Sequence, residues 1–212
     1  MPVPKPLGLV IEQAKNEVQS DHQGRLRLGT RQLIWNELGP REKKRNRAVI
    51  GAGLKRRVAL AGSCVERVLP KWTQAFPDDQ RPMEMIHLAE EYLRGQVKYA
   101  QTLNRCLDIG GDLDMLHTDH PELSTSLSAG DAAQRLLLVA LNDESYTPNS
   151  IDEELHEMDL DPDDWDTAYY AAESYACTED SLPKDEKPLR TEFWLWYLEK
   201  AVPAAWKSQK DK

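Results

Sequence analysis

The stretch IHLAEEYLRGQVKYAQTLNRCL, residues 86–107, sets Ile86, Ala89, Leu93, Val97, Ala100, Leu103 and Leu107 on one helical register that runs straight across Gly95. Apolar residues recurring at three- and four-residue steps define one face of a helix, whereas a half-buried strand would alternate them. The spacing predicts one long helix, or two nearly collinear ones, ending at Gly110-Gly111. Ahead of it, Asp78 and Asp79 precede Arg81-Pro82. Carboxylates followed by a proline in the first turn mark a helix start, where free N–H groups carry partial positive charge. Composition agrees: leucine and alanine number 46, against 16 for valine and isoleucine. The first pair favours helix and the second favours pleated surfaces. The expected fold class is all-α, a compact multi-helix, bundle-like single domain with an acidic connecting loop.

Working outward, Pro2, Pro4 and Pro6 break the lead, and a weak helix is expected from about Leu9 to Ser20. Thr30 can cap a short helix stopped by Gly39-Pro40. The next helix opens with REKKRNR (41–47), has room for a break at Gly51 to Gly53, and carries Leu54, Val58, Ala61, Val65 and Val68 as its stripe until Pro70 perturbs it. Residues 112–128 read as loop, and Ser128 to Asp131 has capping-box spacing ahead of a short buried helix at Leu136–Leu141. Ile151, Leu155 and Met158 share one face of a short amphipathic segment. Asp163 or Asp164 starts a helix bearing Trp165 and Tyr169, and the last helix, Arg190 to about Val202, is dense in aromatics until Pro203 weakens it. The chain divides into a weakly helical lead (1–28), a helical domain (29–206) and a polar tail (207–212).

Charge is distributed unevenly. From Leu136 through Pro183 there is no lysine or arginine but fourteen aspartates and glutamates, whereas Met1 to Lys71 holds fifteen basic residues against six acidic ones. The formal net charge of -9 thus covers a basic first third and an acidic last half. Such an acidic block attracts basic surfaces and repels nucleic acid and anionic lipid. The basic run Arg41, Lys43, Lys44, Arg45, Arg47, Lys55, Arg56 and Arg57 could touch phosphates, or it could pair with the acidic half of the same chain.

Few residues have the spacing that catalytic or metal chemistry needs. Asp159, Asp161 and Asp163 alternate like calcium-loop ligands, but Asp164 stands where that loop needs glycine and Tyr170 where it needs glutamate. His117 and His120 lack further ligands. Gly51-Ala-Gly53 follows no strand, and Gly62-Ser63-Cys64 sits inside a helical pattern, so neither a phosphate cradle nor a nucleophile elbow is supported. No catalytic residue, cofactor or metal is therefore assigned. Cys64, Cys106 and Cys177 have no paired spacing, and no segment reads as a signal peptide or a membrane span, which together predict a soluble cytoplasmic protein. Three function classes remain: a binding protein for a basic partner, a hydrolase using carboxylates of the 152–166 region, and a nucleic-acid-associated factor using residues 41–57.

Four segments read together as something familiar: ALAGSCVERVLPKW (59–72), FPDDQRP (76–82), DPDDWDTAYYAAESYA (161–176) and RTEFWLWYLEKAVPAA (190–205). In this succession, from about Gly29 to Trp206, the chain resembles the fifth numbered immunity protein family of bacterial polymorphic toxin systems. The resemblance implies a mainly helical cytoplasmic protein that binds and neutralises a cognate toxin, with no catalytic residues. Residues 1–28 and 143–160 are not matched to the family pattern. An acidic inhibitor suits a basic, nucleic-acid-directed toxin, since such proteins must meet phosphates. The expected toxin-binding residues are Asp152, Glu153, Glu154, Glu157, Asp159, Asp161, Asp163 and Asp164, with Trp165 as anchor. No nucleic-acid or membrane partner is expected. The free protein should not bind duplex DNA at physiological salt, and micromolar, salt-sensitive binding in fluorescence anisotropy would show that the local basic run outweighs the net charge.

Overall fold

The computed structural model describes residues 2–44, 47–143, 165–177 and 183–209, with the backbone alone at 183–185. In chain order these form α1 (Lys5–Ser20), α2 (Leu28–Glu37), a hairpin of β1 (Lys43–Lys44) and β2 (Arg47–Ala48), α3 (Ala52–Ala75), α4 (Arg81–Leu93) and α5 (Tyr99–Asp119). A 3-10 turn at Pro121–Leu123 leads to α6 (Ser124–Asn142), then α7 (Thr167–Ala176), α8 (Pro183–Trp196), a π turn (Tyr197–Ala201) and α9 (Val202–Ser208). The fold is mainly helical, as expected.

The organising element is α6, SLSAGDAAQRLLLVAL at its centre. It is buried around most of its circumference, from Leu127 and Ala129 through Leu136, Leu137, Ala140 and Leu141. A helix apolar on all sides must sit inside the protein. Here α3, α4, α5 and α7 pack around it. Its small residues set the spacing. A Cβ on Gly130 would stand 2.7 Å from the Trp72 ring of α3 and 3.0 Å from Leu113 of α5.

The expected stripe of α3, Leu54, Val58, Ala61, Val65 and Val68, is entirely buried. The helix runs through Pro70 to Ala75, one turn beyond the proline. Its carboxy-terminal half holds α7 through Lys71, whose Nζ donates to the carbonyls of Ser174 and Cys177, the latter at 2.9 Å. A cation at the end of a helix offsets its free carbonyls.

Several boundaries differ from the sequence expectation, each for an identifiable reason. The helix of 86–107 is two helices, because Gly95 takes φ +72, a left-handed conformation that ends α4. The second runs through Gly110-Gly111 to Asp119, so the expected loop at 112–128 is mostly helix. Its Ile109 and Leu113 bury against α6, which offsets the low helix propensity of two glycines. The REKKRNR run does not open α3. Lys43 pairs with Ala48 and Lys44 with Arg47 in the hairpin, and Arg47 stacks over the Tyr99 ring at 4.2 Å. Thr30 lies inside α2, its hydroxyl donating to Glu17 at 2.6 Å, and α2 begins three residues earlier than a Thr30 cap would allow. Ser128 likewise lies inside α6 and donates to the Ser124 carbonyl. Pro6 sits in the first turn of α1, where its missing N–H costs nothing, so α1 starts at Lys5 and buries Leu7, Ile11, Ala14 and Val18. Pro203 does not end the last helix. The π turn just before it shifts the hydrogen bonding, with Val202 N–H donating to the Tyr197 carbonyl, and α9 continues.

Two glycines test this packing. Gly130→Ala is expected to lower stability by about 1–2 kcal/mol in urea unfolding, because overpacking against Trp72 exceeds the roughly 1 kcal/mol gain in helix propensity. Gly62→Ala on α3, where a Cβ meets nothing within 4 Å, is expected to raise it.

Candidate functional site

Eight of the nine expected binding residues, Asp152, Glu153, Glu154, Glu157, Asp159, Asp161, Asp163 and Asp164, lie outside the described residues. So do the amphipathic segment at 151–158 and the expected helix start at Asp163 or Asp164. The ninth, Trp165, precedes α7 rather than belonging to it. It is half-buried, its ring 4.9 Å from that of Tyr169 and 5.5 Å from that of Tyr170.

What the structure does give is the mounting of the acidic connection at both ends. Asp143 closes α6 in the left-handed region, φ 52. Its two carboxylate oxygens accept from Arg57 Nε and Nη2, both at 2.7 Å, and Arg41 Nε lies 3.8 Å away. Arg57 also donates to the carbonyls of Trp35 at 3.2 Å and Gly39 at 2.8 Å. At the other end, Asp166 caps α7. Its Oδ1 accepts from the backbone N–H groups of Ala168 at 2.8 Å and Tyr169 at 3.1 Å. Its Oδ2 accepts from Arg31 Nε at 2.9 Å and Nη2 at 2.6 Å. Arg31 is fully buried, donates to the Leu26 carbonyl, and lies 5.2 Å from the Trp194 ring and 5.8 Å from the Tyr169 ring. Two guanidinium donors on each carboxylate, with further donors taken by backbone carbonyls, are what let such charges stay buried.

Both cations come from the basic first third. The basic run 41–57 therefore splits. Arg57 turns inward to Asp143, and Arg56 stacks 3.7 Å from the Trp206 ring while donating to the Leu38 carbonyl at 3.2 Å. Lys43 and Lys44 point outward on the hairpin. Between the two ion pairs lies a cavity of about 30 Å3, lined by Trp35, Arg57, Cys64, Asp166, Thr167 and Tyr197 among others. Burial, and then Asp166, push the Cys64 thiol well up, so it stays protonated. Burial does the same to the Tyr197 hydroxyl, which accepts from Trp35 Nε1 at 3.1 Å. Burial, followed by Glu173, pushes the Cys177 thiol up to about 12. None of these is an activated nucleophile.

His117 and His120 do not converge. His117 Nε2 meets Asp131 Oδ2 at 2.9 Å, which raises its pKa, and His120 faces Glu122 at 3.4 Å. Among the described residues, no group of three or more His, Cys, Asp or Glu is placed to hold a metal ion, and no helix is long and apolar enough to cross a membrane.

Arg31, Arg57, Asp143 and Asp166 are not legible as a set in the sequence. The one available signal was the cap pattern Asp166-Thr167, hidden among neighbouring aspartates that read as equally good starts. Partner choice across the chain leaves no local trace.

The family described as Immunity protein Imm5 matches residues 11–204 of the chain, and the protein belongs to that immunity protein family. A comparison with curated proteins found no match.

Arg31→Met strands the Asp166 carboxylate in the core and is expected to cost about 3–5 kcal/mol in urea unfolding. Adding Asp166→Asn, which removes the stranded charge and keeps a capping oxygen, is expected to recover part of that loss.

Proposed function

We propose that the chain neutralises a cognate antibacterial toxin by direct, non-enzymatic binding, and that the acidic connection across 144–164 is the surface that grips it. The observation that carries this reading is the pair of buried ion pairs at its ends. Asp143 and Asp166 are each held by an arginine from within the core, so the connection enters and leaves a rigid frame. In this reading Asp152, Glu153, Glu154, Glu157, Asp159, Asp161, Asp163 and Asp164 face lysines and arginines of a basic, nucleic-acid-directed toxin, and the inhibitor acts by occluding its site in the cytoplasm.

Occlusion needs no bond-making chemistry. Charge of one sign concentrated on one surface raises the rate of encounter with the opposite sign, and desolvated anchors set the rate of escape. The use of Arg57 by Asp143 within the chain weighs against a nucleic-acid role for residues 41–57, since part of that cluster is already spent on the fold.

Two measurements test the proposal. Co-expression with a growth-arresting toxin sought among the products of neighbouring reading frames should relieve the arrest. Replacing Glu153, Glu154 and Glu157 together by glutamine should slow association about tenfold at low salt and flatten its salt dependence, with melting temperature nearly unchanged. Association as fast as wild type at low salt would place the interface elsewhere.

A further inference from the structure

We infer that the outer face of α5 is an apolar anchor for a basic surface of the same partner. The inference rests on the toxin-binding reading above and adds to it an apolar contact. Trp165, the anchor expected from sequence, is engaged with Tyr169 and Tyr170.

The inner face of α5 is fully used. Thr102, Cys106, Ile109, Gly110 and Leu113 are buried, with α6 as the main neighbour of the helix. Its outer face is not. Leu107 is 58% exposed and Met115 is 65% exposed. A single exposed leucine such as Leu9 needs no explanation, but these two fall on one face with Gly111 between them. Residues four apart stack along a helix, so Leu107 and Met115 stand about 12 Å apart, two turns, on one side. A Cβ placed on Gly111 would meet nothing within 4 Å. The result is two apolar knobs flanking a shallow dip, and a methionine adapts its shape to whatever it meets.

The edges of this stripe are acidic. Stepping 100° per residue puts Asp108, Asp112 and Asp119 along one side and Asp114 on the other. Asp112 lies 3.7 Å from Arg81, and the other three form no ion pair among the described residues. Arg105, the one arginine on α5, is turned to Glu84 of α4 in two 2.6 Å hydrogen bonds. An apolar stripe with an anionic border repels anionic lipid and nucleic acid, and two copies meeting through this face would bring aspartates together. It complements a protein surface with apolar side chains ringed by lysine and arginine. The basic hairpin of a second copy, with exposed Lys43, Lys44, Val49 and Ile50, is the rival occupant.

The test uses the full chain and a purified cognate toxin, identified as a neighbouring gene product whose growth arrest the chain relieves. Leu107→Ala with Met115→Ala should leave melting temperature and association rate near wild type and raise the dissociation rate at least about tenfold, as loss of a central apolar anchor does. Asp108→Asn with Asp119→Asn should instead slow association and reduce its salt dependence. If wild type binds and relieves arrest while the double alanine variant dissociates at the wild-type rate, the α5 anchor is wrong and the toxin-binding reading stands. If wild type relieves no neighbouring product's arrest, or does not bind the one it relieves, the toxin-binding reading fails and takes this anchor with it. If wild type alone self-associates in sedimentation velocity, and either the double alanine variant or Lys43→Glu abolishes this, the occupant is a second copy and the assignment to the toxin is overturned.

Discussion

Arg31 has no contact with water, and its guanidinium is held by Asp166 and the Leu26 carbonyl, with the rings of Trp194 and Tyr169 beside it. Removing such a charge from water costs several kcal/mol, so the site exists only because every part of it is in place together. Those parts come from distant points in the chain. Arg31 is on α2, Leu26 on the turn before it, Asp166 and Tyr169 at the start of α7, and Trp194 on α8. The Asp166 carboxylate does two jobs with its two oxygens, capping α7 and neutralising Arg31. Loss of Arg31 would strand the Asp166 carboxylate in the core, and loss of Asp166 would leave an unanswered guanidinium beside an uncapped helix. This contact fixes the position of α7 against α2, because its hydrogen bonds are directional, whereas apolar neighbours can slide and still be buried.

The second pair, Arg57 with Asp143, repeats the arrangement at the far end of α6. One carboxylate at each end of the acidic connection is neutralised by a core arginine. Basic character in the first third is thus partly structural: Arg31, Arg56 and Arg57 are buried, whereas Lys43 and Lys44 are exposed. Membership of the Imm5 immunity protein family implies a cognate toxin as the partner of this chain.

α6 explains why α5 is laid bare. A central helix lined with Ala129, Gly130, Ala132 and Ala133 lets its neighbours approach closely, and α3, α4, α5 and α7 occupy its sides. α5 then lies at the outside of the layer, buried on one face and exposed on the other. Leu107 was assigned by spacing to a buried stripe with Ile86 and Ala89. The break at Gly95 rotates α5 to a new register, in which Cys106 and Ile109 point inward and Leu107 outward.

The sequence by itself determined the helical class, the buried stripe of α3, the start of α4 at Arg81-Pro82, the succession of segments that marks the family, and the separation of charge. These are local or additive properties: helix propensity, periodicity and composition act over a few turns and need no knowledge of the rest of the chain. Tertiary structure alone decided the rest. The hairpin at 43–48 wins over a helix because Arg47 finds the Tyr99 ring and Ala48 finds the core. α5 continues through two glycines because α6 is there to bury it. Arg31 and Asp166 are 135 residues apart in sequence, and nothing near either names the other. A lone arginine and one aspartate among many look like surface charge until packing takes both from water, and only then does their pairing become obligatory.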